Sequence, residues 1–461
     1  MTTTTGETAT LRSPGTDAGA GRRALIGLAA GAFVVAAGML VPVLSGVDVK
    51  AGGAAPLLGD WMVRFWWTSP VAVLVAVLTG WAGLPAYLDR LPWRRLLMLS
   101  WVASVVWMVS LALVDGPVGM GKILNHGTEY LESARMIDDV GEMLRTYVSR
   151  IPLDAPGHWA VHLAGHPPGA VLMFIGLDRI GLGAWQVVGV IIVAIGATVP
   201  AAVALTLDRL GARDRARAAL PFLVIGPAAL LMAVSADAVF TAIGAWGAAS
   251  LAGACAARRP VVRWGLAVLS GLLFGWCVMV SYGLLLIGAL ALAVLVASRG
   301  SARERAAICA VAVVAALAVV LAFAAFGFAW WEAFPILRER YSAGIAQLRP
   351  GWYWVFGNIG ALVLIAGPML PAALAAGWPR LRDVRGWAVD PVPSLVVAGV
   401  VMVGVANFSL MSKAEVERIW LPFMPWLLLS VLWLPPRWQR WALLAQAVTA
   451  LLIEHFIRLV W

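Results

Sequence analysis

Residues 264–298 read WGLAVLSGLLFGWCVMVSYGLLLIGALALAVLVAS, an apolar stretch bounded by Arg263 and Arg299 and free of Asp, Glu, Lys and Arg. A helix crossing a bilayer needs about 20 apolar residues, so the stretch is too long for one span. Ser281-Tyr282-Gly283 is the natural place to turn it, which yields spans at 264–279 and 281–298. Ala, Leu and Val recur here without period-2 alternation, so helices rather than a closed barrel must satisfy the backbone hydrogen bonds in lipid.

The same pattern repeats outward along the chain. Runs near 24–44, 70–88, 96–115, 184–206, 218–234, 237–256, 306–328, 353–375, 393–411, 419–434 and 441–457 join the first two. The expectation is an all-α polytopic transmembrane protein of about thirteen spanning helices, with interfacial helices in a long outer loop. Composition agrees: 62% of residues are hydrophobic and 13% charged, whereas soluble domains are about a quarter charged. Residues 1–23, rich in Thr, Gly and Ala, read as a disordered cytoplasmic tail, and 24–461 as one membrane domain. Ala24 to Leu44 is long for a signal h-region and no convincing A-x-A site follows, so it is expected to stay as an anchor. Cys255, Cys277 and Cys309 fall inside apolar runs and read as small buried hydrophobes.

The net charge of +10 does not point to nucleic acid. Most Lys and Arg sit in 1–23, 89–95, 207–217, 257–263, 299–305, 376–392 and 435–440, short segments between apolar runs, while acids concentrate elsewhere. That is the positive-inside pattern of a multi-pass plasma-membrane protein with a cytoplasmic N-terminus. The outer side then carries 45–69, 116–183 and 329–352, with short turns at Ser235-Ala236-Asp237 and 412–418. Pro167 to Leu182 is apolar but short and interrupted by Asp178-Arg179, so it is expected as an interfacial or half-inserted helix on the outer side. Tyr130, Ala134, Ile137, Val140, Leu144, Tyr147 and Ile151 recur every three to four residues, the stripe of an amphipathic helix on the membrane surface.

Four polar constellations fall on that outer side. His126-Gly-Thr-Glu129-Tyr130 leads into Ala134-Arg135 and Asp138-Asp139. A shielded acid there, Glu129, Asp138 or Asp139, could act as a general base, or the group could be the solvated face of a helix. His162-Leu-Ala-Gly-His166-Pro-Pro-Gly169 stiffens a helix start whose positive end suits a phosphate, although a structural turn explains it equally. A metal on His162 and His166 lacks an evident third ligand. Ser235-Ala-Asp237 is either a helix N-cap or a carboxylate facing a wet cavity. Finally, Ser412-Lys413-Ala-Glu415-Val-Glu417-Arg418 carries more charge than a turn requires; an Arg oriented by a neighbouring carboxylate can grip phosphate. Arg338, Arg340, Tyr341 and Arg349 beside several Trp add an anionic-headgroup or aromatic-belt character to 329–352.

In this order, the acid-Tyr-x-x-x-Ala-Arg segment, His166-Pro167-Pro168, Ser235-x-Asp237 and Glu417-Arg418 resemble the GT-C superfamily of integral-membrane glycosyltransferases over roughly residues 100–430. Gly165-His166-Pro167-Pro168-Gly169 with Glu415-Val-Glu417-Arg418-Ile-Trp420-Leu-Pro422-Phe423 is similar to the actinobacterial methylthioxylose transferase group, which decorates mannose caps of lipoglycans. The chain departs from the superfamily at His126, where members often carry an acid four residues before the Tyr; here the acid stands at Glu129.

The resemblance implies inverting transfer of a sugar from a polyprenyl-phosphate donor to an extracytoplasmic glycan or lipoglycan at the membrane. Glu129, Asp138 or Asp139 would be the catalytic base, and His126, Tyr130, His166, Asp237, Lys413, Glu415, Glu417 and Arg418 would bind substrate, Arg418 and Lys413 stabilising the departing phosphate. No D-x-D motif is present and no metal or other cofactor is expected. The alternative is a transporter or lipid flippase, which usually places polar groups at the bilayer midplane rather than at one face. A scaffold for envelope assembly is the third reading.

Overall fold

The computed structural model describes residues 18–81 and 83–460. The tail expected over 1–23 lies outside the described residues up to residue 17, and the first helix, Ala18–Ser45, already includes Arg22 and Arg23. The described chain is all-α apart from a two-stranded antiparallel ribbon, in which Gly59–Trp61 pairs with Ile457–Leu459.

Among the described residues, six helices are long and apolar enough to cross a membrane, or up to eight if two bent pairs each count as one span. This corrects the expected thirteen-span, GT-C-like architecture. The six are Gly19–Ser45, Trp93–Asn125, Trp185–Arg209, Ala236–Ala256, Pro260–Val280 and Ala302–Ala325. The expected spans at 70–88 and 353–375 are the bent pairs: Ser69–Thr79 meets Leu84–Arg90 at 81°, and Gly351–Ala366 meets Leu370–Ala376 at 95°. In the second pair Gly367-Pro368 forms the break, because Pro supplies no N–H to continue the ladder.

Proline also shortens two more expected spans. The 218–234 run becomes Arg213–Val224 and the short Ala229–Met232, separated at Gly226-Pro227. The 419–434 run, with Pro422 and Pro425, becomes Met424–Leu428 and a 3-10 turn, Leu429–Trp433. Every residue from Trp420 to Leu434 is buried inside the protein. Its apolarity therefore reflects a protein core rather than lipid, an ambiguity that apolarity alone leaves open in short runs. The run at 281–298 ends in the 11-residue helix Ile287–Ala297, and 393–411 is the 17-residue helix Val392–Phe408. Pro436–Phe456 has 21 residues, but Arg437, Arg440, Gln446 and Glu454 dilute its hydropathy.

Small residues bring the long helices together. Three-quarters or more of Ala236–Ala256 is buried (78%), against 17% of Ala302–Ala325. Pro260–Val280 sits between them and presents Gly271 and Gly275 to the outer helix. A Cβ on Gly271 would fall 2.1 Å from the Ala312 carbonyl oxygen, and one on Gly275 2.7 Å from that of Ala316. Such close backbone approach is how helices associate in lipid, where hydrophobicity cannot drive them together.

The basic loops gather at one end of this bundle. Arg217 donates to the carbonyls of Leu88 and Leu91, Arg215 lies 3.3 Å from Asp390, and Arg263 lies 3.4 Å from Glu304. Asp237, in the first turn of Ala236–Ala256, is at the opposite end of that helix.

The amphipathic stripe of 130–151 is not one helix on a membrane surface. It is Tyr130–Arg135, Val140–Thr146 and a 3-10 turn, Val148–Arg150. Asp139 starts the second helix by accepting from the Glu142 N–H at 3.0 Å, the usual work of an Asp N-cap. Tyr130, Ala134, Leu144, Tyr147 and Ile151 are buried in the protein core. Gly169–Arg179, with 11 residues, is too short to span.

Candidate functional site

Four side chains from four distant parts of the chain converge at that end: Glu129, His162, Asp237 and Arg418. Glu129 occupies the N-cap position of Tyr130–Arg135, yet its side chain makes no capping bond. The preceding turn orients it: His126 Nδ1 lies 2.9 Å from the Thr128 hydroxyl, and the His126 carbonyl accepts the Glu129 N–H at 2.8 Å. The carboxylate turns inward, where Oε1 lies 3.0 Å from His162 Nδ1 and accepts from Arg418 Nη1 at 3.3 Å.

Arg418 Nε lies 3.1 Å from Asp237 Oδ2, and Nη2 lies 3.2 Å from His162 Nε2. A guanidinium only donates, so His162 Nε2 accepts and the ring proton belongs on Nδ1, facing Glu129. The four residues are all buried, at 5% exposure for Glu129 and Arg418, 6% for Asp237 and 9% for His162. Burial would raise the Glu129 pKa, but the His162 contact and the Arg418 charge outweigh it and hold the carboxyl below its ordinary value. Burial also disfavours the Arg418 charge, but Asp237 and Glu129 more than restore it and raise its pKa. Asp237 sits in the first turn of its helix, where the helix dipole favours an anion. Ser235 makes no side-chain cap; its hydroxyl donates back to the Leu231 carbonyl at 2.6 Å.

Aromatic rings brace the cluster. Tyr130 stacks on Phe174 at 5.3 Å and on His162 at 6.0 Å, with His166 edge-on at 5.8 Å. Burial raises the Tyr130 hydroxyl pKa well above its usual value. The Tyr147 hydroxyl donates to the Leu163 carbonyl at 2.7 Å, fixing the segment that carries both histidines. His166 Nδ1 meets the His162 carbonyl at 3.0 Å, and burial pulls its pKa down to about 3.

The other expected site residues lie elsewhere. Glu417 points away from Arg418; its Oε1 accepts the Leu58 N–H at 2.7 Å, and burial raises its pKa to about 7. Glu415, in left-handed backbone at φ 65°, pairs with Arg349 at 2.9 Å. Lys413 donates to the Ala346 carbonyl at 3.0 Å and lines a separate cavity with Arg338 and Tyr341. Asp138 and Asp139 are exposed; Asp139 is an N-cap, and the Asp138 carbonyl accepts from Arg179 at 2.6 Å. His126 is exposed. His162 joins the site although the sequence offered it only as half of a metal pair. Among the described residues no group of three or more His, Cys, Asp or Glu could hold a metal ion.

Two cavities adjoin the cluster. A small one of ≈ 30 Å³ is lined by Glu129, Ser235 and Arg418 together with Ile123, Leu230, Leu231 and Val234. These last four residues also line an open cleft of ≈ 1050 Å³, which extends past Lys122, His126, Trp66 and Arg458. A carboxylate, an imidazole and a guanidinium joined in one buried network can hold and relay a proton at the edge of such a cleft.

The chain is a helical protein with several long apolar helices, consistent with a polytopic membrane protein. No protein-family model, curated protein or solved structure matches it.

Proposed function

We propose that this protein is a membrane glycosyltransferase that passes a sugar from a polyprenyl-phosphate donor to a hydroxyl of an extracytoplasmic glycan or lipoglycan. The observation that carries the reading is Glu129. It is a buried carboxylate, held on one oxygen by His162 and Arg418, beside a cavity that shares a wall with the ≈ 1050 Å³ cleft. The acceptor hydroxyl gives its proton to Glu129 while its oxygen attacks the anomeric carbon. The bond from that carbon to the phosphate oxygen breaks, and polyprenyl phosphate leaves with the electron pair. Attack opposite the leaving group inverts the anomeric centre.

Arg418 faces two carboxylates, so its role is to keep Glu129 ionised and aimed. The exposed cations of the cleft, Lys122 and Arg458, are better suited to meet the donor phosphate. The Arg-rich end of the bundle suits the cytoplasm, which supports an outer-side position for the cluster at the plasma membrane. The ordered motifs that resemble GT-C enzymes agree with this chemistry, and the sugar they imply is a methylthioxylose.

Purified protein in vesicles, supplied with polyprenyl-phosphate-linked sugar and an oligosaccharide acceptor, tests the reading. A glycosylated product that disappears in Glu129→Gln supports it. Movement of sugar or lipid across the vesicle without any new glycosidic bond would make the protein a transporter or flippase instead.

A further inference from the structure

The ≈ 1050 Å³ cleft has a wall that the buried cluster does not use. Its centre is Arg64, whose two terminal nitrogens are engaged: Nη1 lies 2.6 Å from Asp115 Oδ2 and 3.2 Å from Glu454 Oε1, and Nη2 donates to the Ile457 carbonyl at 2.7 Å. Arg64, held by two carboxylates, therefore adds no net positive charge, and Arg458, opposite Asp60 in the ribbon, is the exposed cation that borders this wall. What the wall presents is aromatic surface beside hydrogen-bond acceptors. The Trp66 ring lies flat against Gly116, whose backbone has φ 71° and where even a Cβ would come within 3.3 Å of the indole. Trp66 as a whole is 44% exposed. Phe65 is propped by His455 at a ring separation of 4.8 Å and is 68% exposed. Asp115 keeps 40% of its side chain accessible, and Asp60, exposed at the ribbon, accepts the Gly53 N–H at 2.7 Å through Oδ1 alone.

We infer that this wall is a subsite for a neutral, polyhydroxylated ligand, a glycan whose sugar face stacks on Trp66 and whose hydroxyls donate to Asp60 and Asp115. An apolar ring face and a rim of hydroxyl donors are what distinguish a sugar from an anionic headgroup, and the wall complements both. The cleft stands at the upper end of ordinary ligand-pocket volumes, so it has room for more than one sugar ring. The subsite rests on the glycosyltransferase reading only for its name as the acceptor site; its binding does not.

The test is binding of detergent-solubilised full-length protein to an array of short neutral oligosaccharides and their phosphorylated counterparts. Neutral glycans are expected to bind, with affinity falling about tenfold or more in Trp66→Ala and recovering in part in Trp66→Phe. Asp60→Asn, a change at an exposed side chain, is expected to weaken binding with the fold intact by circular dichroism. Binding of phosphorylated members only, binding of no member, or neutral-glycan affinity unchanged in both Trp66→Ala and Asp60→Asn overturns the subsite. Neutral-glycan binding without transfer activity would leave the subsite standing and remove the enzyme. Transfer activity with the acceptor KM unchanged in Trp66→Ala would do the reverse.

Discussion

The protein builds the same motif twice, an arginine between two carboxylates, closed to water in one place and opened at a single carboxylate, Asp115, in the other. Arg418 lies between Glu129 and Asp237 in the buried interior, with His162 as a fourth member. Arg64 lies between Asp115 and Glu454 in the wall of an open cleft, where Asp115 remains 40% exposed. Water can replace a lost partner in the second cluster far better than in the first. The first is therefore costly to disturb and suited to holding a proton acceptor in one geometry, whereas the second shapes a surface.

Removing the buried arginine should have the largest effect. Arg418→Ala leaves two facing carboxylates without a counter-charge, and a loss of about 3–5 kcal/mol of stability is expected in denaturation of the detergent-solubilised protein. A melting temperature equal to wild type would mean that the cluster carries no such strain. Arg418→Lys should recover part of the loss, because one ammonium cannot match the guanidinium's several directions.

Glu417 sharpens the contrast through pH. Its folded pKa of about 7 is above the ordinary 4.5, so the folded state binds its proton more tightly than the unfolded state does. Its contribution is fully present below about pH 4.5 and is lost as pH rises to about 7, by up to about 3 kcal/mol. His166 works in the other direction, since its lowered pKa adds stability as pH rises through the same acid range. The diagnostic quantity is thus the difference between wild type and Glu417→Gln, with His166 present in both. Wild type should lose ground to the variant between pH 5 and 7; parallel curves would contradict the assignment.

Breaking the open cluster should cost less. Arg64→Ala is expected to lower stability by about 1–2 kcal/mol, reduced by the water that reaches Asp115. A loss as large as that of Arg418→Ala would erase the distinction between the two clusters. Smallest of all, Asp139→Ala should remove one helix cap at a cost of about 1 kcal/mol and leave transfer activity intact.

Legibility followed how each segment is buried. Ala236–Ala256 and Ala302–Ala325 could be read directly because nothing interrupts their apolar runs. The segment Trp420–Leu434 could not, since a protein core and a bilayer favour the same side chains and only Pro422 and Pro425 hinted at the break. Glu129 and Arg418 were each singled out in the sequence as candidate site residues. Their partnership was not, because it joins residues remote in sequence. Glu417 seemed the natural partner for Arg418, but adjacent residues on a helical turn do not face each other. His162 was hidden by its spacing from His166, which suggested a metal pair, whereas the fold turns its ring between Glu129 and Arg418.

The central claim, that the buried cluster is a proton acceptor for glycosyl transfer, is tested most directly by the rate of transfer from a polyprenyl-phosphate sugar in membranes at matched expression. Glu129→Gln keeps the shape of the site and removes the base, and should lower the rate by about a hundredfold or more, while Asp139→Ala matches wild type. Equal rates for Glu129→Gln and wild type would contradict the account.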